Sequence, residues 1–224
     1  MPGHLAIIFI TKFTMPTMPT LYQLKPRFQQ LLRPLLGSLH RRGISANFVT
    51  MLALVTSIIF GLALAYWPGA NAPGMLARLP WLLLPLFLLL RMALNAIDGM
   101  LAREFNQQTA LGAILNECGD VVSDVALYAP FALLPGVQGG LLMLVLFLAT
   151  LTEFVGVLGL SISGTRRYDG PIGKSDRAFV FGALALMYGL DWFLPALWNP
   201  VLAVLALLLA YTVLVRARRA LLPM

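Results

Sequence analysis

The chain has 224 residues, 59% of them hydrophobic and 11% charged, with a mean hydropathy of +0.84. A soluble domain of this size carries about 25% charged residues, so the composition excludes an ordinary water-soluble globule and points to an integral membrane protein. The formal charge of +7 comes mostly from basic clusters at the ends of apolar runs, the pattern of positive-inside flanks rather than of a nucleic-acid surface. The lone cysteine, Cys118, excludes an intrachain disulfide and is read as a small packing residue.

Residues 1–17 are read as an N-terminal extension, either non-native or disordered, with Met15 and Met18 as alternative starts. Their apolar run, Leu5–Ile10, is too short to span a bilayer, and no small-residue cleavage site follows it. Residues 18–46 form a juxtamembrane segment. Within it, Leu21–Leu39 repeats apolar residues three and four apart with Lys25, Arg27 and Arg33 between them. This predicts an amphipathic helix on the cytoplasmic face of the bilayer, with packing of the same helix on the bundle as the alternative. Pro26 and Pro34 are expected to break it.

Residues 47–224 are read as one domain of six spans, at about Asn47–Trp67, Trp81–Glu104, Ala110–Leu134, Gly139–Ile162, Arg177–Leu194 and Ala196–Val215. Pro68-Gly69, Pro73-Gly74, Pro135-Gly136 and Pro195 punctuate them. Lys12, Lys25, Arg27, Arg33, Arg41 and Arg42 precede the first span, and Arg103 follows the second. Arg166, Arg167, Lys174 and Arg177 surround the fourth–fifth loop, and Arg216, Arg218 and Arg219 close the chain. Six spans with both termini cytoplasmic place every one of these clusters inside. The expected fold class is therefore an all-α integral membrane protein, with six transmembrane helices and an N-terminal amphipathic juxtamembrane helix.

The stretch Leu94–Asp124 sets five acids, Asp98, Glu104, Glu117, Asp120 and Asp124, into this apolar setting. Positions four apart lie about 40° from each other on a helix, so Asn116, Asp120 and Asp124 form one stripe. Asn95 and Asp98 share a face of the second span, with Arg91 a turn above. Carboxylates inside spans cost several kcal/mol each unless they meet a polar cavity, a partner or an ion. Hard oxygen donors from two facing helices suit Mg2+ or Mn2+. The alternative is that they pair with Arg91 and Arg103 and only hold the bundle together. Glu153, in the fourth span, is expected to pair with Arg91, with contact to the acceptor as the alternative. His4 and His40 are assigned no role.

Asn95-x-x-Asp98-Gly99-x-x-Ala102-Arg103, eight residues, then Gly112-x-x-x-Asn116-x-x-x-Asp120 resembles the long motif of the CDP-alcohol phosphatidyltransferases, with asparagine at the first and third aspartate positions. Gly43–Thr50 ("GISANFVT") is similar to the family's entry into its first span, and Gly170–Ala178 ("GPIGKSDRA") to its basic loop before the fifth. From about Met18 onward the chain is most similar to an enterobacterial inner-membrane branch of that family. The resemblance implies transfer of a phosphatidyl or related phospho-alcohol group from a CDP-linked donor to an alcohol acceptor, with release of CMP. It implies a homodimer in the bacterial inner membrane, in contact with membrane lipids and with no nucleic-acid partner. Asn95, Asp98, Asn116 and Asp120 would hold two divalent ions, and Asp120 would be the base. Asn47, Thr50, Gly99, Ala102, Arg103 and Gly112 would line the nucleotide pocket. Arg166, Arg167, Lys174 and Arg177 would meet the acceptor.

Asparagine keeps a ligating oxygen but loses the charge. Two carboxylates, Asp98 and Asp120, leave two divalent ions half compensated. Three readings stay open: an active enzyme whose metals arrive with the nucleotide, compensation by Glu117 and Asp124, or a degenerate site that binds CDP-lipid without turnover. Six spans with buried acids also fit a transporter with a proton relay. Against that reading, the acids lie near one membrane face and the second half does not repeat the motif.

Overall fold

The computed structural model describes residues 25–67, 74–192 and 195–222, and every regular element among them is helical. The N-terminal extension with His4 and Lys12, the start of the amphipathic segment and the Pro68–Pro73 punctuation lie outside the described residues.

Helix α1 (Lys25–Arg41) sets Phe28, Leu32, Leu36 and Leu39 against Ile97, Met100 and Leu101 of the second span, so it packs on the bundle by one face. Leu31 and Leu35 point outward from it. Neither proline breaks this helix. Pro26 lies in the first turn, where an amide hydrogen has no helical partner anyway. Pro34 is internal, but it and Gln30 four residues earlier are both exposed, so the carbonyl that loses its donor can be solvated.

Helix α2 (Ala46–Ala65) starts at Ser45, whose hydroxyl accepts from Phe48 N at 3.2 Å. Helix α3 (Leu79–Glu104) follows a 3-10 turn, Gly74–Arg78. Helix α4 (Ala110–Tyr128) is capped by Thr109, which accepts from Gly112 N at 2.9 Å. It stops short of the expected Leu134: the chain tightens into a 3-10 turn, Ala129–Leu133, around Pro130. Helix α5 (Gly139–Ser163) ends at Gly164, whose φ of 70° is left-handed. Helix α6 (Lys174–Gly189) begins three residues before the expected Arg177, because Gly173 N donates to Asp176 Oδ2 at 2.8 Å and fixes the first turn. Helix α7 (Trp198–Leu221) follows the 3-10 turn Pro195–Leu197 and outruns the expected Val215.

The main packing partners are α2 with α4 and α3, α3 with α6, and α5 with α7. One end of the bundle is an aromatic cluster in which Trp81, Phe131, Tyr188 and Trp198 meet largely edge to face. The other end gathers the start of α2, the end of α3, the starts of α4 and α6, and the ends of α5 and α7, which carry the acids and arginines. Among the described residues, α2, α3 with its leading turn, α5 with 25 residues and α7 with its leading turn are the four helices long and apolar enough to cross a membrane. Their outer faces carry Ile59, Leu86, Phe147 and Leu207, each more than half exposed, which suits lipid rather than water. α4 carries Glu117, Asp120 and Asp124, and α6 has 16 residues, so neither qualifies as a span by length and composition. Cys118, expected to pack, is exposed.

The α2–α4 crossing depends on Gly61: a Cβ there would stand 2.7 Å from the carbonyl carbon of Ala126. Gly61→Val forces the helices apart and is expected to cost about 1–3 kcal/mol, read as a lowered melting temperature in detergent. Unchanged melting would show that this crossing is slack.

Candidate active site

The motif residues converge between α2, α3 and α4. Thr50 on α2 donates to Asp98 Oδ2 at 2.8 Å, and its hydroxyl stays in reach of Ala46 O at 3.1 Å. Asn95 Nδ2 donates to Asp120 Oδ1 at 3.0 Å, so the facing helices are joined through two of the predicted ligands. Asp98 and Asp120 lie within electrostatic reach of each other. Asn47 reaches Thr109 Oγ1 at 3.3 Å, and its amide oxygen would stand 2.5 Å from a Cβ on Gly112. A side chain at Gly112 would push the Asn47 amide aside. Arg103 folds back over Gly99, where a Cβ would lie 3.3 Å from its guanidinium. Ala102 faces the small core beneath α1 instead. Thus Thr50 meets Asp98, Asn47 meets Thr109 and Gly112, and Arg103 lies along Gly99, while Ala102 faces the other way.

Asp120 is held asymmetrically. Asn95 Nδ2, Lys174 Nζ and, at 3.5 Å, Arg91 Nη2 all point at its Oδ1. Among the described residues nothing is bonded to Oδ2, and the side chain of Asn116 makes no hydrogen bond. Oδ2 is therefore a free carboxylate oxygen beside a fixed positive cluster, able to take a proton or a cation.

Behind this lies a buried ionic lattice. Asp124 spends both oxygens on arginines: Oδ1 on Arg91 at 2.8 Å, and Oδ2 on Arg177 at 2.9 Å and 3.2 Å. Arg177 also donates to Glu153 at 3.0 Å and Thr152 at 3.3 Å. Glu153 gives its other oxygen to Arg166 at 3.1 Å, and Arg166 pairs with Glu117 and lies over the Tyr168 ring. Burial works against the charge of Arg166, but Tyr168, Glu117 and Glu153 outweigh it and hold its pKa above the ordinary arginine value. Arg216 donates to Thr152 O at 2.5 Å and Asp169 O at 3.1 Å, tying α7 and the fourth–fifth loop to α5.

Several expectations change here. Asp124 does not compensate for the asparagines, because its two oxygens are taken by arginines. Glu117 is turned to Arg166. Arg177, 1% exposed, is turned to Asp124, Glu153 and Thr152. Glu153 pairs with Arg166, Arg177 and Arg216 rather than with Arg91. Arg167 donates to Ser163 at 2.9 Å and lies along Gly159. Glu104 leaves the cluster for Arg33 at 2.9 Å.

Sequence reasoning missed Arg216, which reads as one more basic flank; its only signal is that it lies one turn from Thr212, whose hydroxyl takes Ile172 N at 3.3 Å. It also missed the turn clamp, in which Gln107 Oε1 accepts from Ala46 N at 2.7 Å and His40 stacks on Phe105 at 4.1 Å.

The donor set can be weighed against the metals that the motif implies. Asp98 and Asp120, with amide oxygens from Asn95 and Asn116, are hard oxygen donors suited to one Mg2+ or Mn2+. Among the described residues no three His, Cys, Asp or Glu side chains stand together as a metal group. By themselves the two carboxylates carry the charge of one divalent ion, before a diphosphate adds its own.

The helical bundle gathers this cluster of acids and arginines at one end, and the sequence places the chain in a family. The chain belongs to the CDP-alcohol phosphatidyltransferase family, whose sequence pattern matches residues 44–215. It is 50% identical over 208 residues to the inner membrane protein YnbA of Escherichia coli (strain K12), covering 91% of this chain and 97% of that one. Its fold is shared with the phosphatidylinositol phosphate synthase PgsA1 of Mycobacterium tuberculosis. The TM-score is 0.68 to the structure with CDP-DAG bound, at 18% identity over 85% of this chain and 94% of that one. It is 0.64 to the complex with manganese and citrate, at 19% identity over 85% and 92%.

Proposed function

We propose that the chain transfers a phosphatidyl or related phospho-alcohol group from a CDP-linked lipid to an alcohol and releases CMP. It acts at the cytoplasmic face of a bacterial inner membrane, as a six-span homodimer with both termini inside and residues 47–224 as the catalytic domain. The observation that carries this reading is Asp120, held by one oxygen and open at the other, beside Asp98 and the Gly99–Arg103 turn. Family membership and the CDP-DAG complex of the similar fold support it.

Asp120 Oδ2 takes the proton of the acceptor hydroxyl. The oxygen so freed attacks the phosphorus that carries the lipid alcohol. The bond from that phosphorus to the bridging oxygen breaks, and CMP leaves with the electron pair. Arg103, exposed and without an ion pair among the described residues, can take phosphate oxygens bidentately. A divalent ion on Asp98, Asp120, Asn95 and Asn116 would supply charge neutralisation at the diphosphate. Asn47 and Thr50 order the α2 entrance. Among the described residues Arg167 is left as the basic residue of the fourth–fifth loop with no carboxylate partner, and it is our candidate for contact with the acceptor.

The two asparagines favour one further reading, a site that binds CDP-lipid without turnover. Purified protein in nanodiscs with CDP-diacylglycerol, Mn2+ and a panel of alcohols is expected to release CMP. No release across the panel, with metal-dependent CDP binding intact, would support the binding reading. Loss of both would sink the family chemistry for this chain.

A further inference from the structure

Lys174 was expected to meet the acceptor, yet its ammonium lies on Asp120 Oδ1. It is also within electrostatic reach of Asp98, Glu117 and Asp124, which makes it a cation shared by the acidic cluster. Its aim is fixed. Lys174 is the first residue of α6, Gly173 and Asp176 cap that turn at 2.8 Å, and Ile172 N is held by Thr212 at 3.3 Å. We propose that Lys174 stands in for the second divalent ion, so that the site works with one metal and one ammonium, an inference that rests on the phosphotransfer reading above.

Charge and geometry agree on this. Four carboxylates balance two divalent ions, and this chain keeps two, Asp98 and Asp120, which balance one. A second ion bound through Asp120 Oδ1 would have to stand beside Lys174 and Arg91, already on that oxygen. Like charges at that spacing in a dry site repel strongly. An ammonium is a compact point charge with three donors. From its place on Asp120 it can contact the nonbridging oxygens of a diphosphate, as lysines do in other phosphate sites. Asn95 and Asn116 then follow as consequences: with an ammonium resident, aspartates there are not needed for charge balance.

The test counts Mn2+ on detergent-purified full-length protein with CDP-diacylglycerol and no acceptor, by equilibrium dialysis and by the electron paramagnetic resonance signal. One Mn2+ per chain, with no spin-coupled pair, is expected. The triple variant Asn95→Asp, Asn116→Asp, Lys174→Met is expected to bind two. Lys174→Met alone should bind its one Mn2+ about tenfold more tightly, since a competing cation is gone, while CMP release falls about 100-fold. Lys174→Arg should keep the one-ion stoichiometry. Two Mn2+ on the wild type, none, or weaker binding in Lys174→Met would each overturn the proposal. One Mn2+ on the wild type and two on the triple variant, with no CMP release from either once the panel of alcohols is added, would leave the stand-in intact and overturn the transfer reading instead.

Discussion

Asp120→Asn is expected to lower CMP release by about 10^3–10^4-fold while the protein stays folded. The variant is nearly isosteric, so α4 keeps its packing, and the buried anchors of the bundle do not pass through this residue: Arg91 retains Asp124 at 2.8 Å. What is lost is chemical. The oxygen that faces away from Asn95, Lys174 and Arg91 becomes part of a neutral amide, which neither accepts the hydroxyl proton nor neutralises a cation. Glu104→Gln serves as the comparison. Glu104 lies in the same acidic stretch but pairs with Arg33 on α1, and its loss should change the rate less than about twofold, in keeping with the small worth of an exposed pair. Both rates are measured as CMP release at matched protein, with melting curves to confirm folding. If Asp120→Asn kept a tenth or more of the activity, another group would be the base and the asymmetry of the carboxylate would have no catalytic meaning.

The contrast between these two acids shows what a sequence carries and what it does not. Helical spacing alone put Asn95 with Asp98 and Asn116 with Asp120, and Asn95 does meet Asp120 between α3 and α4. Helix starts were legible where a cap is written into the chain, as with Ser45 and Thr109. Spacing could not separate Asp120 from Asp124, since both lie on one stripe. What divides them is which arginines arrive from α3 and α6, and that is decided by packing between segments far apart in the chain. Arg177 and Arg216 were misread for the same reason. A basic residue at the end of an apolar run looks like a membrane flank whether it faces water or the bundle interior, and only tertiary contacts reveal that both are 2% exposed or less. The boundary of α6 failed for a local reason: Gly173 and Asp176 form a cap that apolar periodicity does not register. The reading of Pro34 as a break failed because an exposed face can solvate the carbonyl that a proline orphans.

Arg177→Met tests the division between structure and chemistry most sharply, and it should act on stability. The guanidinium bridges Asp124 and Glu153 at 2.9 Å and 3.0 Å. Removing it leaves two buried carboxylates with one fewer cation between them. Breaking a buried pair from one side costs about 3–5 kcal/mol, most of it the penalty of the abandoned charge. Asp124→Asn should cost a similar amount, because it leaves Arg91 and Arg177 facing a neutral amide. The double variant Arg177→Met, Asp124→Asn removes one charge of each sign and should recover part of the loss, so the two effects are expected to be less than additive. Melting in detergent, with and without Mn2+, measures all three. The shifts should be independent of Mn2+, because Asp124 has no oxygen left for a metal. If Arg177→Met instead melted like the wild type and raised only the KM for the acceptor alcohol, the guanidinium would belong to the substrate and not to the lattice. A Tm deficit in Asp124→Asn seen only with Mn2+ present would return Asp124 to the metal site. Deficits of equal size with and without the ion would fix it as the keystone between α3 and α6, the two helices that hold Asn95, Asp98 and Lys174 around Asp120.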